Sequence, residues 1–285
     1  MVFKITGMMN LFYEVSRLCS KTTTEKYSTS FSSAIKLLHK KLHTPIYNIY
    51  GFVRFADEIV DTFHEYDKAT LLAEFKAETY NAIERGISLN PILQSFQETV
   101  NEYNIGFDLI DAFFNSMEMD LTQSSYTDEK YSEYIYGSAE VVGLMCLCVF
   151  CEGDKEMYNR LKPYAQALGA AFQKVNFLRD ANADCQQLGR TYFPGVDFSN
   201  FTFCSKRKIE DDISIDFANA YKGIAQLPAT ARFGVYVAYK YYLSLFNKIK
   251  KAKPKSILHK RFRIPNYGKV FILAKASLRA QLNIL

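Results

Sequence analysis

Apolar residues recur at helical spacing along most of the chain. The segment "IYNIYGFVRFADEIVDTF", residues 46–63, has apolar side chains three and four positions apart, at Ile46, Ile49, Val53, Ala56 and Val60. Positions with this spacing lie on one side of an α-helix. The segment is therefore predicted to be an amphipathic helix whose apolar face packs in the core.

Three further segments carry the same pattern. Residues 66–86 end at Gly86, a residue type that commonly terminates helices. Residues 163–184 are rich in Ala and Leu and begin at Pro163, which suits a first helical turn. Residues 231–253 read as another long helix, and residues 188–207 as a long loop. Because alternating strand patterns are scarce, we predict an all-α protein of roughly ten helices.

Two of these helices carry a line of polar residues that includes two aspartates four positions apart. The first polar stripe consists of Tyr50, Arg54, Asp57 and Asp61. The second polar stripe consists of Gln173, Asn176, Asp180 and Asp184, with Arg179 beside it. Like charges at this spacing destabilise a helix by roughly 0.2–0.5 kcal/mol, and burial raises the cost. Each stripe thus contains a pair of charges that an ordinary core helix would not favour.

Two interpretations of the stripes are open. Each can be a solvent-exposed helix face, since charged faces are common. Alternatively, the two stripes face each other and form a hard-oxygen site for Mg²⁺, which is commonly held by one or two carboxylates plus substrate phosphates. Arg54 and Arg179 would then grip phosphate oxygens with their planar guanidinium groups. The matching arrangement of the two stripes favours the second interpretation.

Composition limits the number of domains and the cellular compartment that can be expected. The 285 residues are 48% hydrophobic and contain no Gly/Ser-rich or Pro-rich linker, so we expect one domain spanning Met1–Leu285. Phe and Tyr are abundant, and they can pack a core or line an apolar cavity. Without a recognisable secretory signal or an apolar run long enough to span a bilayer, we expect an intracellular protein. The six cysteines then fit reduced thiols, and those in residues 146–151 fit buried small hydrophobic residues.

Charge is distributed unevenly along the chain. The net charge is +5, yet residues 217–285 contain 14 Lys and Arg and no Asp or Glu. The densest basic segment is "KIKKAKPKSILHKRFR", residues 248–263. It can be a solvated surface, a surface for anionic lipid, or part of a site for a phosphorylated substrate. We do not expect nucleic-acid binding, because no nucleic-acid motif accompanies the charge.

Four segments resemble the squalene/phytoene synthases, the head-to-head prenyl transferases. "YGFVRFADEIVD", residues 50–61, is similar to their first aspartate-rich motif, and "LGAAFQKVNFLRDANADCQQLGRTYFP", residues 168–194, to the second. "YIYGSAEVVGLM", residues 134–145, resembles their tyrosine-led helix, and "YSTSFSSAIKLL", residues 27–38, their Ser-x-Ser-Phe segment. The chain departs from the family pattern at Ile135, Glu140 and Ala181.

The resemblance implies an all-α isoprenoid-synthase helical bundle with a central apolar cavity. It implies Mg²⁺, with Mn²⁺ as an alternative ion, held by Asp57, Asp61, Asn176, Asp180 and Asp184. It also implies that a set of residues contacts the diphosphates, namely Ser30, Tyr50, Arg54, Gln173, Asn176, Arg179, Arg190, Tyr242 and Arg261. Tyr134 matches another catalytic position of the family.

The activity implied by the resemblance is phytoene synthesis from two geranylgeranyl diphosphates in carotenoid biosynthesis. Squalene or dehydrosqualene synthesis from two farnesyl diphosphates is an alternative, and a catalytically silent assembly factor is a less favoured one. No nicotinamide cofactor is expected for the phytoene reaction. We expect a cytoplasmic protein that contacts the anionic inner face of a membrane, because its substrates and product are apolar and its C-terminal region is basic.

Overall fold

The computed structural model describes residues 2–123, 125–187, 191–198 and 200–282, with only the backbone described for residues 2–8 and 183–187. Within these ranges the chain is helical apart from its loops and one isolated bridge between Ser125 and Thr191. The helices are α1 (Val2–Tyr27), α2 (Thr29–Ile35), α3 (Lys40–Asp61), α4 (Lys68–Arg85), α5 (Pro91–Tyr103), α6 (Phe107–Thr122), α7 (Asp128–Ile135), α8 (Val141–Cys151), α9 (Lys155–Gln187), α10 (Phe203–Ile224), α11 (Ala229–Lys250), α12 (Pro254–Ile257) and α13 (Asn266–Gln281). A π-helical turn, Tyr136–Glu140, joins α7 to α8.

Local sequence signals set the ends of the predicted helices α3 and α4. The imidazole of His39 accepts a hydrogen bond from the Lys41 N–H before α3. The carboxylate of Asp67 accepts from the Thr70 N–H before α4. Gly86 ends α4 in the left-handed region, with a φ of 68°, which glycine adopts without steric cost. The helices predicted from residues 46–63 and 66–86 are therefore confirmed.

The predicted start of α9 at Pro163 is wrong, because the helix begins eight residues earlier at Lys155. The carboxylate of Asp154 accepts from the Met157 N–H at that end. A proline inside a helix costs about 3 kcal/mol. Burial of Leu161, which is 1% exposed, and packing of Met157 against the core offset this cost. Core packing before Pro163 thus extends the helix beyond the start that the proline indicates.

The loop predicted for residues 188–207 is shorter than expected. The described part of it ends at Thr202, whose hydroxyl oxygen accepts a hydrogen bond from the Ser205 N–H. This N-terminal cap starts α10 at Phe203, so residues 203–207 are helical. Residues 188–190 and 199 lie outside the described residues.

Residues 128–151 form one continuous helical stretch in the centre of the bundle. The stretch is long and apolar enough to span a membrane by length and composition alone, but 61% of its most apolar window is buried inside the protein. It packs against α3, α6 and α9. Close packing on α9 requires glycine at position 169, where a Cβ atom would lie 2.5 Å from the Ala139 carbonyl oxygen. The stretch is therefore a core element of this fold.

Two hydrophobic clusters form the core. The first contains residues of α3, α4, α5, α6 and α8. In it the ring of Phe52 stacks on that of Phe96, with centroids 3.8 Å apart. Cys146 and Cys148 pack against this cluster, and burial raises the pKa of the Cys146 thiol to about 12. The second cluster joins α9, α10 and α11 around Ile213 and Phe217. Residues of both clusters line one internal cavity, so the two halves of the core enclose a common space.

Candidate active site

A polar cleft of about 460 Å³ lies between the first polar stripe on α3 and the second polar stripe on α9. The structure brings most of the predicted site residues together there, namely Tyr50, Arg54, Asp57, Asp61, Tyr134, Gln173, Asn176, Arg179, Asp180, Tyr242 and Arg261. The side chain of Asp184 and the whole of Arg190 lie outside the described residues. Because both stripes line one cleft, they are not two unrelated solvent-exposed faces.

The wall formed by α3 is an ion-paired cluster around Arg54. The guanidinium group of Arg54 donates one hydrogen bond to Asp57 and another to Glu58, on the next turn of the same helix. Its carbon Cζ lies 4.4 Å from the centre of the Tyr27 ring, within the range of a cation–π contact. Glu58, which lies beside the first polar stripe, therefore helps to orient the arginine.

Asp57 is the most strongly perturbed carboxylate of this wall. Burial and the like charge of Asp61 raise its pKa from an ordinary value of 3.8 to about 7, although Arg54 opposes the rise. One third of its side chain is still exposed to the cleft. A cation that enters the cleft would stabilise the ionised form of this carboxylate and lower its pKa.

The wall formed by α9 places two arginines on one carboxylate. Arg179 donates from Nε to both oxygens of Asp180 at 3.1 Å. Arg261, from the segment before α13, contacts the same carboxylate with Nε 2.8 Å from Oδ1. The sequence separates Arg261 from Asp180 by 81 residues, and the fold closes this gap. The cleft therefore offers guanidinium groups on both walls, which suits an anionic ligand with several oxygens.

An unpartnered oxygen supports the suitability of this cleft for a hard cation. The side-chain oxygen Oδ1 of Asn176 is buried and has no hydrogen-bond partner. Its amide nitrogen lies 3.4 Å from Oε1 of Gln173, at the long end for a hydrogen bond. A buried carbonyl oxygen without a donor is costly unless a ligand or an ion completes it. Asn176 thus has the geometry of a cation ligand facing the cleft.

The described residues hold no group of three or more carboxylate, imidazole or thiol side chains close enough to bind an ion by themselves. Magnesium keeps several waters and is often held by one or two carboxylates plus substrate phosphates, so it does not need such a group. The donors present, carboxylates and an amide oxygen, fit this ion if a phosphorylated ligand supplies the remaining oxygens.

Asp120 is a site residue that the sequence reading missed. It is 6% exposed at the end of α6, and it accepts a hydrogen bond of 2.7 Å from the Tyr134 hydroxyl. The hydroxyls of Tyr126 and Tyr192 lie 3.5 and 3.4 Å from its other oxygen. Asp120 lies three positions after Met117, on the face of α6 that its apolar residues predict to be buried. A charged residue on such a face is the sequence signal that could have identified it. Asp120 fixes the orientation of Tyr134 in the cleft.

The segment that leads into α2 contributes different residues from the one predicted. Ser30 does not line the cleft, whereas Tyr27 and Ser28 do. The hydroxyl oxygen of Ser28 accepts from the Phe31 N–H and caps α2, which fixes this corner. Tyr50 stands beside Phe31, with ring centroids 5.7 Å apart, and burial raises its pKa to about 12. Tyr50 is therefore a neutral hydroxyl at neutral pH.

An apolar cavity of about 250 Å³ continues inward from the cleft. The two spaces share lining residues, namely Phe31, Tyr50, Val53, Ser138, Gln173, Asn176 and Tyr242. Deeper in, the walls are aliphatic and aromatic side chains of α2, α3, α8 and α9, such as Ile35, Ile46, Phe150 and Leu168. The ring of Tyr242 stacks on Phe172, with centroids 3.8 Å apart, where the two spaces meet. The combined site suits a molecule with an anionic head and a long apolar tail.

Comparison with known proteins agrees with this arrangement. The sequence profile of the squalene/phytoene synthase family matches residues 24–212. The phytoene synthase of Arthrospira platensis is 25% identical over 289 residues, which cover 93% of each chain. The 4,4'-diapophytoene synthase of Staphylococcus haemolyticus is 25% identical over 205 residues, which cover 70% of each chain.

Solved structures share the fold. A dehydrosqualene synthase in complex with a ligand superposes with a TM-score of 0.78 at 19% identity, covering 94% of this chain and 98% of that one. The squalene synthase of Alicyclobacillus acidocaldarius superposes with a TM-score of 0.71 at 21% identity, covering 84% of this chain and 93% of that one. The helical fold matches along almost the whole chain, and the family profile covers both aspartate motifs. The chain therefore belongs to the squalene/phytoene synthase family of prenyl transferases.

Proposed function

We propose that this protein joins two molecules of geranylgeranyl diphosphate head to head and forms phytoene, a step of carotenoid biosynthesis. The reaction passes through a cyclopropylcarbinyl diphosphate and releases two diphosphates. The observation that carries the proposal is the polar, arginine-lined cleft that opens directly onto an apolar cavity. A prenyl diphosphate has the same division into an anionic head and an apolar tail.

The arginines of the cleft bind the diphosphate heads in this proposal. Arg54 acts from α3, and Arg179 and Arg261 act from the opposite wall, where they now pair with Asp180. Ser28 and Tyr50 offer hydroxyl groups at the same end. Gln173 stands one turn before Asn176 on α9, and Arg190 is assigned to the diphosphate site through its place in the second motif.

The proposed metal site is built from Asp57, Asp61, Asn176, Asp180 and Asp184. Bound Mg²⁺, or Mn²⁺ in its place, supplies positive charge that stabilises the leaving diphosphate. The three cleft arginines would hold the head groups at the mouth of the cavity, so that the apolar tails extend inward. No nicotinamide cofactor takes part in the proposed reaction.

The apolar cavity shields the allylic cation that forms when the C–O bond ionises. Phe31, Phe172 and Tyr242 present aromatic rings at the junction of cleft and cavity. Aromatic faces stabilise cations, and an apolar wall excludes the water that would quench them. We assign the hydroxyl of Tyr134, oriented by Asp120, to the handling of a proton next to the reacting carbons.

The runner-up is squalene or dehydrosqualene synthesis from two farnesyl diphosphates. It is supported by the 25% identity to the 4,4'-diapophytoene synthase, over 70% of the chain. The phytoene assignment is preferred because the Arthrospira relative matches over 93% of the chain. A catalytically silent assembly factor is less favoured, since such a protein has no need to keep four cleft aspartates beside three arginines.

Product analysis tests the proposal. The purified protein is incubated with Mg²⁺ and either farnesyl or geranylgeranyl diphosphate, with and without NADPH, and the hydrocarbons are identified by mass spectrometry. We expect phytoene from the C20 substrate in both conditions. Products from the C15 substrate alone would overturn the phytoene assignment but keep the family reaction. No hydrocarbon from either substrate would favour the silent relative.

We also propose that the protein associates peripherally with the anionic inner face of a membrane. The support is the excess of 14 basic residues and the lack of acidic residues between positions 217 and 285. Association would bring the cavity close to the phase in which an apolar product accumulates.

A further inference from the structure

The C-terminal helix α13 has an apolar face that no described part of the protein covers. Tyr267 is 80% exposed and Phe271 is 71% exposed, and each of the other members of this face is more than half exposed. The outer face of α13 consists of Tyr267, Val270, Phe271, Leu278 and Leu282. These positions lie within about 120° of rotation on a helix of 3.6 residues per turn. They therefore form one continuous stripe along the whole helix.

The opposite side of α13 already accounts for the attachment of the helix to the protein. Ala276 is buried, and Ile272 and Leu273 pack against the second core cluster. Lys269 donates a hydrogen bond of 2.9 Å to the hydroxyl of Thr29 on α2. The inner face thus supplies the contacts that hold α13 on α11 and α2. The outer apolar face has no role in that packing, and exposing it to water is unfavourable.

All charged side chains of α13 and of the neighbouring helix α11 are cationic. Lys269, Lys275 and Arg279 lie on α13 itself, and Lys240 on the neighbouring helix α11. Burial, together with the positive charges of Arg279 and Lys275, lowers the pKa of Lys240. Because residues 217–285 contain no acidic side chain, none of the charges within this region compensates these cations. The surface combines exposed apolar side chains with a field that attracts anions.

We propose that the outer face of α13 docks on the surface of an anionic lipid bilayer. An interfacial helix with an apolar face and flanking Lys or Arg residues binds such a surface through buried apolar area and charge attraction. A second copy of this chain is a poorer occupant, because a symmetric contact would bring two cationic surfaces together. The inference rests on the peripheral association proposed above and is independent of which prenyl diphosphate is the substrate.

Docking through α13 gives the membrane contact a defined orientation. Helix α11 carries α13 on one side, and its residues Gly234, Val235 and Ala238 line the apolar cavity. The cavity would then lie one helix away from the lipid. Arg261, at the mouth of the polar cleft, precedes the first exposed aromatic residue of α13 by only six positions. The bilayer would therefore meet the protein next to the site that takes apolar substrates.

Vesicle flotation tests the inference on the full chain. The wild-type protein and the double variant Tyr267→Ser/Phe271→Ser are mixed with vesicles of phosphatidylglycerol and phosphatidylcholine, or of phosphatidylcholine alone. The matched control is Leu89→Ser/Phe203→Ser, which removes two exposed apolar side chains from other parts of the surface. We expect the α13 variant to lose about tenfold or more in partitioning to anionic vesicles, because two large apolar side chains no longer enter the bilayer interface. The control should bind like the wild type.

Three results would contradict the inference, and they are distinguishable. No flotation of the wild type overturns both the peripheral association and the docking face. Flotation of the α13 variant at the wild-type level overturns the docking face alone. Light scattering that shows a wild-type dimer and a monomeric α13 variant, with equal vesicle binding, would assign the face to a second copy. Circular dichroism of each variant checks that its helices are intact, and product formation in detergent should remain at the wild-type level.

Discussion

Removing the charge of Asp57 should stabilise the metal-free protein while destroying its activity. Burial and Asp61 raise the pKa of Asp57 from 3.8 to about 7. Below pH 3.8 the group is protonated in both the folded and the unfolded states. As the pH rises towards 7 the unfolded chain ionises first, so the folded state loses stability, and above 7 the loss is constant. The substitution Asp57→Asn removes this cost.

The expected gain follows from the size of the pKa change. A difference of about three pKa units corresponds to roughly 4 kcal/mol at 1.36 kcal/mol per unit. One third of the side chain is exposed, so solvent screening reduces this figure. The variant also loses the ion pair with Arg54, which opposes the gain. We therefore expect Asp57→Asn to raise the free energy of unfolding by about 1–3 kcal/mol at pH 8, and by clearly less at pH 5.

Urea denaturation at pH 5 and pH 8, in buffer with EDTA and without diphosphate, measures both values. The matched control is Asp211→Asn on α10, which removes an exposed carboxylate that pairs with Arg207 four residues earlier. This control should change the free energy of unfolding by less than about 0.5 kcal/mol at either pH. If Asp57→Asn is no more stable than the wild type at pH 8, or if its advantage is the same at both pH values, the carboxylates of α3 do not carry the electrostatic cost described above.

Three further substitutions address other parts of the site. Tyr134→Phe should lower turnover about 10²-fold or more. It should also lower the free energy of unfolding by about 1–3 kcal/mol, because Asp120 loses its shortest hydrogen bond. If the variant turns over at the wild-type rate, Tyr134 has no role in catalysis. Arg261→Lys should raise KM about tenfold with a smaller change in kcat, since lysine lacks the planar guanidinium group that contacts diphosphate oxygens. An unchanged KM in steady-state assays would exclude a contact between Arg261 and the diphosphate. Gly169→Ala should destabilise the protein by about 1–3 kcal/mol in the same urea titration, because the new Cβ meets the Ala139 carbonyl oxygen at 2.5 Å. At Gly268 the nearest atom is a methyl carbon of the Ile264 side chain at 3.2 Å, so Gly268→Ala should change the free energy of unfolding by less than about 1 kcal/mol.

The sequence predicted helices α3 and α4 well, and it predicted two polar stripes whose described members line one cleft. Apolar spacing identified α3 and α4, because one face of each packs in the core and the caps at His39, Asp67 and Gly86 are local. The two polar stripes were predicted to face each other from their matching pattern alone. Their position on one cleft agrees with that expectation. Hydrophobic spacing and helix capping depend on residues within one helix, so both can be predicted from the sequence.

The remaining features depend on contacts between distant segments. Pro163 lies inside α9 because residues before it pack on a core formed by other helices. Asp120 becomes a site residue only when α6 and α7 bring it to Tyr134. Ser28, which caps α2, lines the cleft, whereas Ser30 does not. No spacing rule within one segment contains this information.

In the proposed mechanism the two aspartate stripes promote loss of diphosphate from a prenyl substrate. The most direct measurement is the release of inorganic diphosphate from geranylgeranyl diphosphate by the wild type and by Asp180→Asn, each with Mg²⁺ and with EDTA. We expect the wild type with Mg²⁺ to release two diphosphates per molecule of hydrocarbon. We also expect the rate of release to fall by about 10²–10³-fold or more both in EDTA and in the variant. Release that continues at the wild-type rate in EDTA or in Asp180→Asn would contradict it.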